Sequence, residues 1–282
     1  MNELKNITII GVGLLGGSMA LALKDVTDAK ISGIDKSKAN LEKALALGII
    51  DDISDETELN SADLVVIAIP TNKIAEETHK VLDLVNDQCI VFDTGSTKFE
   101  ICQSLKKHPK RQQFAAVHPI AGTEFSGPEA AFKTLFKGKK NIICDPEDTD
   151  EKSLEVIIDL FNKLSMDTFF MDSDEHDKHL AYVSHLSHVS SFMLGKTVLE
   201  IEKDHRNIFN LAGSGFASTV RLAKSSPETW TSIFLDNKQH LLKALDEYIK
   251  NLKEFADLIS NDNFDQIYHC ISNINKIKNI IK

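Results

Sequence analysis

The sequence predicts a doubly wound, mainly parallel α/β sheet over residues 1–172, followed by an all-α region over 173–282. Three observations carry this. Short apolar runs alternate with helical patterns as far as Asp172, strand signals stop beyond it, and the first run passes straight into a glycine-rich turn that opens a helix. Strands covered on both faces read as continuous apolar runs, as a parallel sheet between two helical layers requires.

In order, NITIIG (6–11) is the first strand, and the small and apolar residues of 14–24 form a helix. KISGID (30–35) is a second strand, and 37–47 is a helix ended by Gly48. DLVVIAIP (63–70) is apolar throughout and closed by proline, and 76–84 is helical. CIVFDTGS (89–96), FAAVHP (114–119), NIICDP (141–146) and DTFFMD (167–172) are further strands, with an amphipathic helix between the last two. Residues 174–202 then read as one long helix and 227–260 as another. Within the latter, Leu241, Leu245, Tyr248, Leu252, Phe255 and Ile259 recur at spacings of four and three, which is a helix-packing seam. It serves either a bundle within one chain or an interface between subunits.

Composition excludes several classes. A net charge of -10 argues against nucleic acid as a partner. No run approaches the roughly 18 apolar residues of a membrane span. The N-terminus lacks a basic segment ahead of its apolar stretch, so it reads as a strand and not as a signal peptide. Cys89, Cys102, Cys144 and Cys270 are scattered without a CxxC pair, as expected of a reduced cytoplasmic protein without disulfides or zinc. An anionic substrate must then be held by a few placed cations. Arginine, the better bidentate partner for a carboxylate, occurs only at Arg111, Arg206 and Arg221.

Gly11-Val12-Gly13-Leu14-Leu15-Gly16 is a GxGxxG turn between a strand and a helix, in a βαβ setting. Gly11 suits the tight turn, Gly13 the approach of a pyrophosphate, and Gly16 close helix–strand packing, with the helix N-terminus facing the phosphates. Asp35, at the end of the second strand, suits the adenine ribose hydroxyls and favours NAD, because it would repel a 2′-phosphate. Lys36 and Lys38 keep NADP as an alternative. This is a Rossmann-type nucleotide site.

Ligands of such sheets lie beyond the carboxyl ends of the strands. Three polar clusters fall there: Ala68 to Thr71, including Pro70 and Thr71; Asp93 to Lys98, including Ser96; and His118 to Glu124, including Thr123. A neutral His118 near a substrate hydroxyl can accept its proton, and Ser96 can orient either group or cap a helix. In the helical region, His185 and His188 are spaced i, i+3 and project to similar faces. No third ligand is placed to make them a metal site. The glycine-rich stretch containing Ser214 and Gly215 leads to Arg221, a candidate carboxylate clamp.

These motifs match a known family. GVGLLGGS, DTGSTK, HPIAGTEFSG, HDKHLAYVSHLSH, and LAGSGFASTVR followed by SPETW together resemble the prephenate/arogenate dehydrogenases over nearly the whole chain. The resemblance implies a Rossmann domain (1–172) and a helical domain (173–282) that binds substrate and forms a homodimer. It also implies hydride transfer from the hydroxyl-bearing ring carbon to NAD, with loss of the ring carboxylate as carbon dioxide. It implies further that His118 contacts the ring hydroxyl with Ser96 as its partner, that Arg221 binds a carboxylate, and that His188 contacts the substrate side chain. Thr123, Glu124 and Trp230 match pocket positions. Many members carry proline where Ser187 stands, so a less kinked helix is expected here. There is no room for the regulatory or mutase domain that many members carry, so control through a separate domain is not expected.

Two other readings compete. A β-hydroxyacid dehydrogenase also joins a Rossmann domain to helices, but it would not need HPIAGTE or the SHLSH pair, and it would place a catalytic lysine on the central helix. A cofactor-binding regulator without activity would not need His118, Ser96 and Arg221 together. Of the two ring substrates, prephenate is expected over arogenate, because no unpaired pocket carboxylate other than Glu124 is evident to meet an amino group.

Overall fold

The computed structural model describes residues 4–123, 125–204 and 208–280. They form two compact units, Met1–Asn237 and Lys238–Lys282. The first contains one sheet of eight strands: β1 (Asn6–Ile10), β2 (Lys30–Ile34), β3 (Asp52–Ile53), β4 (Leu64–Ile67), β5 (Ile90–Asp93), β6 (Phe114–Pro119), β7 (Lys140–Cys144) and β8 (Asp167–Met171). Their order is β3-β2-β1-β4-β5-β6-β7-β8. Every pairing is parallel except β6 with β7. The mainly parallel doubly wound sheet expected from the apolar runs is therefore present.

Between the strands lie α1 (Leu14–Lys24), α2 (Lys38–Ala46), α3 (Thr71–Leu84), α4 (Phe99–Leu105) and α5 (Glu151–Lys163). Side chains alternate across the sheet. Leu64 and Val66 enter one core with Ile7, Ile9 and Phe92, while Val65 and Ile67 enter the other with Ile10 and Val91. Both faces are thus buried, which is why β4 carries no polar residue.

Two elements of this sheet region were not expected. The two-residue β3 lacks an apolar run, and α4 is too short to show a period. Its first amide groups, Lys98 N–H at 2.8 Å and Phe99 N–H at 3.0 Å, donate to Asp177, more than seventy positions away in the chain. Ser96 is therefore not the cap of this helix.

The long helix expected over 174–202 is interrupted. It comprises α6 (Ser173–Leu180), a π-helical turn (Ala181–His185) and α7 (Leu186–Asp204). A π turn inserts one residue into the helical phase and re-aims the side chains beyond it. With serine at position 187 in place of proline, the irregularity here is this widened turn. After α7 come α8 (Ser214–Thr219), a 3₁₀ turn (Arg221–Lys224) and α9 (Pro227–Asp236). The helix expected over 227–260 is also two helices. Asn237 leaves the helical register, and its amide donates to the Asp177 carbonyl at 2.6 Å.

The second unit consists of α10 (Lys238–Ser260) and α11 (Phe264–Ile274), with a closing 3₁₀ turn. No side chain of α11 is buried. Among the described residues, no helix is long and apolar enough to cross a membrane. The four cysteines are unpaired thiols. Burial raises the pKa of three of them, that of Cys89 to about 12, so these are inert packing groups.

Candidate active site

At the carboxyl ends of β1, β4, β5 and β6 lies a cavity of about 1680 Å³, closed on its far side by residues of the π turn, α7 and α9. It sits at the switch point of the sheet, where β1 is flanked by β2 on one side and β4 on the other.

The glycine turn forms one end. Gly11 has φ +90°, and a Cβ there would lie 2.4 Å from the Ala68 carbonyl oxygen. A Cβ on Gly16 would lie 1.8 Å from the Gly11 oxygen, so helix α1 can approach the strand only without one. A Cβ on Gly13 would meet nothing within 4 Å. That open space, at the N-terminus of α1 and in the cavity wall, suits the pyrophosphate of a dinucleotide. Asp35 is held in place by two amides, Val12 N–H at 3.0 Å and Ser37 N–H at 2.8 Å, one on each carboxylate oxygen. Its remaining lone pairs suit ribose hydroxyls. Leu14, Leu15, Lys36, Pro70 and Thr71 also line this end. Gly16 does not, because its place is against the turn.

The reacting end is made by a splay of β5 from β6. Backbone pairing between them covers only Val91–Phe114 and Phe92–Ala115. Beyond that, the fully buried carboxylate of Asp93 accepts Val117 N–H at 3.1 Å and Gly95 N–H at 2.8 Å. The fully buried ammonium of Lys98 bonds Asp93 and donates to the Val117 carbonyl at 2.8 Å. Burial of charge in this way is tolerated only because each group is paired and hydrogen-bonded. The pair fixes the 94–97 loop, including Ser96, beside the end of β6, where His118 is 7% exposed. Ser96 and His118 line the same cavity.

His118 Nδ1 lies 2.8 Å from His176 Nε2, and His176 Nδ1 lies 2.8 Å from Asp177 Oδ1. Burial, followed by the neighbouring His176, Lys98 and His185, pushes the His118 pKa well below its ordinary value. The ring is neutral near pH 7.

On the helical side, His188 Nδ1 donates to the Ser184 carbonyl at 3.0 Å and the ring stacks on Trp230, with centroids 3.3 Å apart. His185 Nδ1 receives the Asn237 amide N–H at 3.1 Å. The two neutral rings therefore present opposite groups: His185 keeps an Nε2–H donor and His188 an Nε2 acceptor. Burial lowers the pKa of both, that of His185 to about 4. Arg221 lines the same cavity. Its segment is tied to α7 by Ser191, whose hydroxyl accepts Ala223 N–H and donates to the Thr219 carbonyl, each at 3.0 Å. Arg111 is elsewhere, buried against the Phe114 carbonyl at 2.6 Å.

Of the residues proposed from sequence, Gly11, Gly13, Leu14, Leu15, Asp35, Pro70, Thr71, Ser96, His118, Thr123, His185, His188, Arg221 and Trp230 share this cavity. Ser214 and Gly215 do not line it. They open the six-residue α8, which turns the chain so that Arg221, and not the glycine loop, reaches the wall. Glu124 and Arg206 lie outside the described residues. Sequence reasoning gave no role to His176, Asp177, Lys98 or Asn237. The adjacent His-Asp pair was the available signal, but only the fold brings it behind His118. Among the described residues, no group of three or more His, Cys, Asp or Glu is arranged to hold a metal.

Two family models match the chain: the prephenate dehydrogenase nucleotide-binding domain over residues 19–168 and the prephenate dehydrogenase dimerization domain over 172–281. A cyclohexadienyl dehydrogenase of Zymomonas mobilis is 31% identical, over 95% of this chain and 92% of its own length. A prephenate dehydrogenase of Bacillus subtilis is 31% identical, over 95% of this chain and 74% of its own. The crystal structure of prephenate dehydrogenase from Aquifex aeolicus with hydroxyphenyl propionate and NAD+ superposes with a TM-score of 0.92 at 30% identity, covering 99% of both chains.

Proposed function

The chain belongs to the prephenate dehydrogenase family, and from that premise we propose that it converts prephenate to 4-hydroxyphenylpyruvate and carbon dioxide with NAD, forming the aromatic ring of tyrosine. The observation that carries this reading is a neutral, buried histidine, His118, in one cavity with a dinucleotide turn at one end and an arginine at the other. NAD, when bound, would supply the acceptor for the hydride that leaves the hydroxyl-bearing ring carbon. The protein orients that carbon and holds the hydroxyl proton.

In this reading the glycine turn and Asp35 hold the cofactor, with Pro70 and Thr71 beside it. His118 takes the hydroxyl proton, and Ser96 orients the hydroxyl. Arg221 binds a substrate carboxylate, while His185, His188, Thr123 and Trp230 shape the side-chain pocket. Residues 1–172 serve the cofactor, and 173–282 serve substrate binding and homodimer formation. The described thiols, all unpaired, suit a reducing cytoplasmic setting.

A dual-specificity reading, with arogenate also accepted, is favoured by the Zymomonas mobilis relative, whose identity to this chain equals that of the Bacillus subtilis one. NADH formation followed with prephenate and arogenate, each with NAD and NADP, separates the readings. Turnover with NAD and prephenate is expected to be the most efficient. Absence of activity on both ring substrates would overturn the proposal.

A further inference from the structure

Behind His118 stands a closed chain of polar groups that the reaction itself does not touch. Asp177 Oδ1 accepts Lys98 N–H, and Oδ2 accepts Phe99 N–H. Both oxygens are thereby fixed as acceptors, so the His176 Nδ1 that lies 2.8 Å from Oδ1 is the donor of that bond. A neutral ring that donates from Nδ1 has a lone pair on Nε2. His118 Nδ1, at 2.8 Å from that lone pair, is then the donor. His176 is 0% exposed and Asp177 2%, so no water competes for these bonds.

We infer that His176 and Asp177 are positioning residues that lock His118 in its Nδ1–H tautomer, leaving Nε2 as the base that meets the substrate hydroxyl. This rests on the assignment of His118 above.

The chemistry suits a sealed relay. As hydride leaves the ring carbon, the hydroxyl O–H bond breaks and Nε2–H forms. The Nδ1–H to His176 bond then becomes charge-assisted, and such bonds are roughly twice as strong as neutral ones. When the ring carboxylate departs as carbon dioxide, the electron pair of the broken C–C bond enters the ring and leaves negative charge on the ring oxygen. That oxygen recovers the proton from Nε2. No proton is gained or lost overall, so a dead-end chain without an exit to solvent is sufficient.

The direct test is ¹⁵N NMR of protein labelled at histidine, with the His118 signals assigned from their loss in His118→Asn. A pyrrole-type Nδ1 and a pyridine-type Nε2 are expected, and the reverse pattern would overturn the inference. In kinetics, His176→Leu removes the acceptor and should lower kcat by about 10–10³-fold. The KM values for prephenate and NAD should change little. His176→Gln, whose amide oxygen can still accept from Nδ1–H, should recover most of the loss. A packing role alone would lower thermal stability in both variants while leaving kcat unchanged well below the melting point, and that result would also overturn the inference. Retention of kcat by His118→Asn would instead sink the assignment of His118 as the base, while the tautomer would still be read by NMR.

Discussion

At the scale of single residues, the site is a set of groups whose protonation is dictated by what surrounds them. His118 must be neutral to accept a proton, and burial keeps it so to a lower pH than a free histidine, whose pKa is about 6.5. The acidic limb of kcat/KM should therefore fall below pH 6.5, and His118→Asn should abolish that limb. Loss of a positioned base should lower kcat by about 10²–10⁴-fold. NADH fluorescence should report nearly unchanged cofactor binding, because Gly11, Gly13, Leu14 and Leu15 lie at the other end of the cavity. A mutant that kept both its rate and its limb would move the base elsewhere. Arg221 belongs to the same scale. A charge-assisted bond to a carboxylate contributes about 1.5–3 kcal/mol, so Arg221→Gln should raise KM for prephenate by about tenfold or more. An unchanged KM would show that another cation holds the carboxylate.

At the scale of elements, the glycine turn separates two kinds of constraint. Gly16→Ala places a Cβ 1.8 Å from the Gly11 oxygen, so the turn must move and both melting temperature and NAD affinity should drop. Gly13→Ala meets nothing in the protein and should lower affinity alone. Thermal melts and NADH titrations of the two variants check the contrast, and equal behaviour would count against the pyrophosphate placement. This turn was legible in the sequence because its constraints are local: a strand, three glycines and a helix within one short stretch. The core strands were legible for the same reason, since a run such as Leu64 to Ile67 can only be buried on both faces. What stayed hidden depends on distant partners. Helix α4 has its cap on Asp177, the helix break at Asn237 is held by the Asp177 carbonyl, and the π turn brings His185 against Asn237. Local period and propensity carry no trace of such contacts, so two broken helices were read as continuous ones.

At the scale of the whole molecule, two consequences follow. The first is acid sensitivity. His118, His185 and His188 are all depressed, first by burial. For a histidine depressed in the folded state, stability is fully present above the unfolded pKa of about 6.5 and is lost as pH falls toward the folded value, because the unfolded chain binds protons that the folded one refuses. For His185, with a folded value of about 4, this loss amounts to roughly 3 kcal/mol between pH 6.5 and 4. Urea midpoints should decline through that window, and His185→Gln should flatten the decline. The second concerns assembly. In the seam of α10, Leu252 is 52% exposed and Ile259 56%, and α11 presents Phe264 at 75%, Tyr268 at 61% and Ile271 at 47%. Spacings of four and three keep these α11 residues on one side of the helix. An isolated surface leucine is ordinary, but continuous apolar stripes of this kind mark an interaction face. The family model over this region is named for dimerization. In a twofold pairing the same patch meets itself, so a single substitution acts twice. Light scattering should give about twice the 31.4 kDa chain mass for the wild type at micromolar concentration. Leu252→Asp combined with Ile271→Asp should give monomer, because two carboxylates per chain would be desolvated on pairing. Both positions are solvent-exposed in the single chain, so circular dichroism should show the helices retained. A wild-type monomer, or a double variant that remains dimeric, would remove these stripes from the subunit contact.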